Sequence, residues 1–100
     1  MLISRDSSAS SSETDSIHNY YERLVLDEVR RALAEESRSA ELLADIACVA
    51  LNHLPPRYIR HAVDMAFYLS PREQMEMEDK VRTAVADAIA FVDSRGHDAE

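Results

Sequence analysis

The stretch Leu-Asn-His-Leu-Pro-Pro-Arg-Tyr, residues 51–58, ends one helix and fixes the direction in which the chain leaves it. A Pro-Pro pair cannot continue a helix, because each ring fixes φ and removes a hydrogen-bond donor, and the preceding residue is pushed out of the helical region. Arg57 and Tyr58 therefore leave a rigid corner. A guanidinium fork and an aromatic face with a hydroxyl suit phosphates and bases. The motif alone also fits a plain helix terminator whose arginine and tyrosine cap carbonyls and cover the core.

The helix before this corner is expected over about residues 40–53. Its centre, residues 46–51, is apolar on every side, so the helix is either central or covered by a partner subunit. Asp45 and Asn52 are the polar exceptions, and their spacing of seven residues puts them on nearly the same face. They are candidates for hydrogen bonds to a ligand or to the corner. An end cap at Asn52 and a solvent-facing or arginine-paired Asp45 remain the alternative.

The first helix is expected over about residues 17–36. Apolar residues recur there at three- and four-residue steps and form one stripe, and Asp15 or Ser16 can cap the first turn. A polar connection over residues 36–39 leads into the second helix.

The segment between the second and third helices, residues 57–69, has mixed composition. Residues 58–59 and 66–69 are strand-like, whereas residues 61–66 could form a helical turn. We expect one or two short strands here, which could pair across a dimer.

The third helix has the clearest start. Ser70 stands at the cap position, Pro71 at the first helical position and Glu73 three residues after the cap, which is a capping box. A narrow apolar stripe then runs over residues 77–92, and Gly96 is the expected left-handed terminator. A long helix with such a stripe often packs against its twin. The fold class is therefore mainly α: a dimeric three-helix small domain with a short irregular or β segment between helices 2 and 3.

Composition limits the classes of function. Residues 1–16 hold seven serines and are expected to be a disordered tail, which leaves a helical domain over residues 17–95 and a C-terminal tail over residues 96–100. So small a core gains from a second subunit.

A formal charge of −8 argues against binding to nucleic acid polymers or anionic membranes. There is one glycine, which excludes a Gly-rich phosphate loop. The single cysteine and the lack of a signal peptide or apolar span predict a cytoplasmic protein.

No pattern of catalytic residues stands out. Cys48 lies in the apolar helix and is expected to be buried, and the serines lie in the tail or at caps, so no nucleophile has a base beside it. His61 and Asp64 could share a helical face, but two ligands do not make a metal site. We expect no enzyme activity, no metal and no cofactor.

A polar cluster remains as the candidate site. His18, Asn19 and Tyr20 are expected to open the first helix, where free amides favour an anion. Arg57, Tyr58 and Arg60 leave the proline corner. If the two regions meet, they form a concave anion site with aromatic walls; otherwise the tyrosines at 20 and 21 are core residues and the rest is surface.

Asn-Tyr-Tyr-Glu at residues 19–22, Asp-Ile-Ala at residues 45–47 and the Leu-Asn-x-Leu-Pro-Pro-Arg-Tyr motif resemble the late competence protein ComFB family. The resemblance covers about residues 17–93. It implies a small, mainly helical cytoplasmic protein that dimerises, and some relatives are receptors for cyclic di-GMP or cyclic di-AMP linked to competence, motility or cell-size control. Many relatives carry a cysteine cluster before the second helix, and some bind zinc there. This chain has Ser37, Ser39 and Leu42 in that region, so the zinc is expected to be absent.

The sequence thus predicts a non-enzymatic homodimeric receptor for a cyclic dinucleotide, with cyclic di-GMP preferred over cyclic di-AMP and an unknown downstream protein. The expected contacts to phosphates and bases are Arg57, Tyr58 and Arg60. Asn19, Asp45 and Asn52 are further candidates, either for hydrogen bonds to base edges or for hydrogen bonds that fix the corner. The alternative is a protein–protein interaction adaptor in competence or motility regulation that has no small ligand.

Overall fold

A computed structural model describes residues 13–61, 65 and 68–98 of the chain. Three helices dominate these residues: α1 (Tyr21–Ala32), α2 (Ala40–Asn52) and α3 (Pro71–Asp98). Two short strands, β1 (His18–Asn19) and β2 (Tyr58–Ile59), form one antiparallel pair. The predicted mainly helical class is confirmed, with a β segment between the second and third helices. Residues 1–12 lie outside the described residues and residues 13–15 form a helical turn, so the disordered tail stays a prediction.

The start of α1 differs from the prediction by four residues. His18 and Asn19 are extended and belong to β1, so neither Asp15 nor Ser16 caps the helix. Asn19 Oδ1 instead accepts the backbone N–H of Tyr21 at 3.2 Å. The helix ends at Ala32, and the predicted span of residues 17–36 was too long at both ends. Propensity and apolar spacing could not show that a distant segment draws the first residues into a strand.

Helix α2 agrees with the sequence reading to within one residue. Ser39 Oγ accepts the backbone N–H of Leu42 at 3.1 Å, which caps the helix. Ile46 and Ala50 are fully buried on one face. Cys48 is exposed, contrary to the prediction that it is buried. Cys48 is two positions from Ile46 and two from Ala50, which is about half a turn, so its side chain points toward the opposite face of the helix.

The segment after the proline corner is strand only in part. β2 pairs with β1 of the same chain, with His18 opposite Ile59 and Asn19 opposite Tyr58, so this pairing is within the protomer and not across a dimer. The strand expected at residues 66–69 is wrong at Tyr68, which is helical. Residues 62–64 and 66–67 lie outside the described residues.

Helix α3 begins as predicted and ends later. Glu73 donates its backbone N–H to Ser70 Oγ at 3.1 Å, and Ser70 donates its backbone N–H to Glu73 Oε1 at 2.9 Å, which confirms the capping box. The helix continues through Gly96 to Asp98, so Gly96 is not a terminator. A glycine inside a helix costs only about 1 kcal/mol relative to alanine, which is too little by itself to end 28 residues of helix.

The core lies where the three helices pack against one another. Each helix contributes one buried stripe, as the apolar spacing predicts for α1 and α3; α2, whose centre is apolar on every side in the sequence, is buried on one face. The largest fully buried side chains are Val25, Val29, Ile46 and Val85. Arg38, in the connection before α2, forms an ion pair with Asp93 of α3 at 2.8 Å. Arg57, just after α2, acts electrostatically on Glu73 in the first turn of α3. Helices α2 and α3 are therefore antiparallel, and the proline corner lies near the start of α3.

Candidate functional site

The β pair brings together the two regions that the sequence singled out. Tyr20 donates its backbone N–H to the carbonyl of Arg57 at 2.7 Å, directly beside the two ladder pairs. The segment around Asn19 and the proline corner are thus one continuous surface. We call the side chains of Asn19, Arg57, Tyr58 and Arg60 on it the corner patch.

Asn19 holds the corner patch together through a single oxygen. Its Oδ1 accepts the backbone N–H of Arg57 at 2.9 Å as well as that of Tyr21. One side chain therefore fixes the residue after the two prolines and satisfies a free donor in the first turn of α1. This corner-fixing role is one of the two that the sequence suggested for Asn19.

Arg57 presents its charge beside both α1 and α3. Its side chain is exposed and forms no ion pair with a carboxylate among the described residues. Burial raises the pKa of the Tyr21 hydroxyl, and the charge of Arg57 opposes that rise. The pKa of Glu73 lies below its ordinary value, chiefly because Ser70 donates its backbone N–H to the carboxylate and to a smaller degree because Arg57 is near. An anion that approaches Arg57 would therefore find a guanidinium group that no carboxylate of the described residues already occupies.

The rest of the corner patch is also accessible. The side chain of Tyr58 is 67% exposed, so one face of its ring is open to stacking. Arg60 Nε donates to Ser16 Oγ at 3.3 Å, and His18 Nδ1 lies 2.8 Å from the Ser16 carbonyl oxygen. Two guanidinium groups and an open aromatic ring therefore lie within four consecutive residues, which suits a phosphate next to a base.

The two candidates on α2 make no polar contact with the corner patch. Asp45 and Asn52 are exposed, and within the described part of the chain no hydrogen bond or ion pair joins either of them to the corner patch. They share a face of α2, as their spacing predicted, and their part in ligand binding stays a prediction.

Two neighbours of the patch were missed from the sequence. Ser16 was considered only as a helix cap, and Glu73 only as half of a capping box. Contacts between residues so far apart in the chain leave no local pattern, so only the β1–β2 register and the packing of α3 could place them.

The region where relatives carry a cysteine cluster has another arrangement here. Arg38 bridges Glu36 at 2.8 Å and Asp93 at 2.8 Å, and Ser39 caps α2. Among residues 13–61, 65 and 68–98, no group of three or more histidine, cysteine or acidic side chains could hold a metal ion.

None of the helices in the described residues has the length and apolar character needed to cross a membrane.

Comparison of the chain with known proteins gives a match to one family model and no match to an individual protein. Comparison with curated proteins gives no match. Comparison with solved structures gives none either. The family model described as late competence development protein ComFB matches residues 18–96, which include the β pair, α1, α2, the proline corner and α3 up to residue 96. The chain belongs to the ComFB family.

Proposed function

We propose that this chain is a cytoplasmic, non-enzymatic, homodimeric receptor for a cyclic dinucleotide, with cyclic di-GMP the first candidate and cyclic di-AMP the second. It passes the signal to a protein partner. The observation that carries the proposal is the corner patch, in which Asn19 fixes the backbone of Arg57 while the side chains of Arg57 and Tyr58 stay exposed.

The chemistry of the ligand matches the chemistry of the patch. A cyclic dinucleotide carries two phosphates and two purines. A guanidinium fork binds a phosphate through two parallel hydrogen bonds, and an exposed tyrosine ring stacks on a base. Arg57 offers its donors without first having to break an ion pair within the described residues.

The overall charge restricts the kind of anion. The chain carries a formal net charge of −8, so a long polyanion meets repulsion over most of the surface. A small anion needs only the local field of Arg57 and Arg60. This favours a mononucleotide-sized or dinucleotide-sized ligand over DNA or RNA.

Symmetry supports a dimer with this ligand. A cyclic dinucleotide has two-fold symmetry, and a two-fold dimer presents each of Arg57 and Tyr58 twice. Each phosphate and each base would then meet an identical set of side chains.

The proposal is tested by thermal unfolding of the full chain with cyclic di-GMP, cyclic di-AMP, cyclic AMP, GTP and ATP. A ligand that binds only the native state stabilises it by RT ln(1 + [L]/Kd), so the melting temperature should rise with dose for one cyclic dinucleotide. The linear nucleotides and cyclic AMP control for unspecific binding of phosphates. A flat response to both cyclic dinucleotides overturns the receptor and leaves the adaptor without a small ligand.

A further inference from the structure

An open groove of about 800 Å³ lies between the end of α2 with the corner that follows it and the middle of α3, and its lining does not include β1 or β2. Its floor is mainly apolar, and charged side chains line its rim; the lining that matters here is Val49 from α2, Leu54 and Pro55 from the corner that follows it, and Ala84, Ala88 and Phe91 from α3. Phe91 is 50% exposed at one end of the groove, with the Arg95 guanidinium 5.5 Å from its ring centroid. A half-exposed phenylalanine beside an open apolar groove indicates a surface that another molecule covers.

The charges along α3 are arranged so that a second copy fits. Lys80 and Asp87 both line the groove, and within the described residues neither forms an ion pair. They are seven residues apart, which is nearly two turns and about 10.5 Å along one face of the helix. Thr83 and Ala84 lie midway between them. Thr83 is exposed and Ala84 packs against the core of its own protomer, and these small side chains permit a close approach of two helices.

We propose that two copies of this chain meet through these grooves, with their α3 helices antiparallel about a two-fold axis at Thr83 and Ala84. In this arrangement residues at equal distances on either side of the axis face each other. Lys80 of each copy then meets Asp87 of the other, so the same ion pair forms twice and each of the four charges gains one partner.

The same axis gives Phe91 a place. Phe91 and Glu76 are equally far from the axis along α3. The Phe91 ring of one copy therefore faces Glu76, near the start of α3, in the other copy. Because α2 and α3 are antiparallel, that is the end of the groove where Pro55 lies. By the same rule Arg95, which accompanies the ring, faces Arg72 of the other copy, and Glu76 lies one turn from Arg72 on that face.

This interface rests on the homodimer of the proposed function and not on its ligand. A different protein would need a complementary charge pattern of its own, whereas Lys80 and Asp87 of α3 are already complementary to the same two residues of a second copy. Covering the groove also adds apolar burial to a chain whose single core is small.

Charge reversal tests the arrangement by sedimentation velocity of the full chain at low salt, with and without cyclic di-GMP. Lys80→Glu and Asp87→Lys each place like charges opposite each other twice, so each variant alone should raise the dimer dissociation constant about tenfold or more. An equimolar mixture of the two variants should form a heterodimer about as tight as the wild-type dimer, because both pairs are then opposite in sign. The double variant should dimerise with itself but not with the wild type.

A matched control distinguishes this interface from a general effect of charge. Glu78→Lys makes the same charge change as Asp87→Lys on an exposed position of α3 that does not line the groove, and it should leave the dimer unchanged. A wild-type dimer that both single variants leave intact overturns the interface but not the homodimer. A wild-type chain that stays monomeric with and without cyclic di-GMP overturns both. Loss of dimer in the single variants without recovery in their mixture also overturns the interface.

Discussion

Asn19 Oδ1 and the backbone nitrogen of Arg57 lie 2.9 Å apart although 38 positions separate the two residues in the chain. The same oxygen accepts the N–H of Tyr21 at the start of α1. A single amide oxygen thus connects the proline corner to the first helix. The β pair adds the backbone pairing of Asn19 with Tyr58 and of His18 with Ile59. The direction of the arginine is therefore set by backbone contacts, and its side chain remains available.

Asn19→Ala removes this acceptor. Two backbone donors lose their partner, and because water reaches them in part, we expect the free energy of unfolding to fall by about 1 kcal/mol. Cyclic dinucleotide affinity should fall with it, since Arg57 is no longer held. Urea unfolding followed by circular dichroism measures the first effect, and calorimetric titration the second.

Asn19→Asp serves as the control for that variant. A carboxylate oxygen at the same place accepts both N–H groups and also favours the positive end of the α1 dipole. Stability should therefore stay within about 0.5 kcal/mol of the wild type or rise. If the aspartate variant loses as much stability as the alanine variant, the hydrogen bonds of Asn19 do not fix the corner.

Arg57→Ala separates the ligand contact from the fold. The backbone N–H and carbonyl of residue 57 keep their bonds to Asn19 and Tyr20, so the free energy of unfolding should change by no more than about 0.5 kcal/mol. Loss of a charge-assisted hydrogen bond to a phosphate is worth about 1.5–3 kcal/mol, which is a loss of roughly tenfold or more in affinity. Arg23→Ala, at an exposed α1 arginine with no ion pair in the described residues, should leave affinity unchanged. Equal affinity of both variants would remove Arg57 from the site.

The elements that the sequence predicted well are those set by local rules. The capping box at Ser70 and Glu73 depends on residues within one turn and was predicted from residue type and spacing. The Ser39 cap of α2 is equally local but was not predicted. The buried stripes of α1 and α3 follow the apolar period in the same way.

The elements that were predicted wrongly depend on contacts between distant residues. His18 and Asn19 read as the start of a helix because nothing in their neighbourhood shows that residues 58–59 pair with them. Cys48 read as buried because its neighbours are apolar, although helical geometry turns it outward. The candidate site shows the same division. Arg57 and Tyr58 were identified from the corner itself, whereas Ser16 and Glu73 became visible only once the chain was folded.

The ion pair between Arg38 and Asp93 should stabilise the connection before α2. Two nitrogens of the Arg38 guanidinium donate to the two Asp93 oxygens at 2.8 and 3.3 Å, and the Arg38 side chain is only 18% exposed. A double-mutant cycle with Arg38→Ala and Asp93→Asn should give a coupling energy of about 0.5–1 kcal/mol that falls in high salt.

A second cycle provides the comparison for that pair. Arg30 and Asp27 lie 3.8 Å apart, with side chains 67% and 62% exposed, so their coupling energy should be close to zero. Urea unfolding of the wild type and the six variants at low and high salt gives both values. Equal coupling energies for the two pairs would show that Arg38 adds no more than an ordinary surface contact, and the stiffness of the connection would then come from the Ser39 cap and apolar packing.

Glu73 should make stability depend on pH in the acid range. Its pKa in the folded chain is lowered, first by the backbone N–H of Ser70, then by the Ser70 side chain and the charge of Arg57. A carboxyl whose folded-state pKa is depressed contributes stability above its unfolded pKa of about 4.5, and that contribution disappears as pH falls through the folded-state value. Glu73→Gln keeps an oxygen for the capping box and removes the charge.

The expected result is that the wild type exceeds Glu73→Gln in free energy of unfolding at neutral pH and that this difference shrinks steadily below about pH 4.5. Urea unfolding at a series of pH values between about 7 and 3 measures the difference directly. Glu35→Gln, at an exposed carboxyl with no hydrogen-bond partner among the described residues, should follow the wild-type profile. A difference between wild type and Glu73→Gln that stays constant across this range would mean that the charge of Glu73 interacts equally with the folded and unfolded chain, and the field of Arg57 would then not reach the first turn of α3.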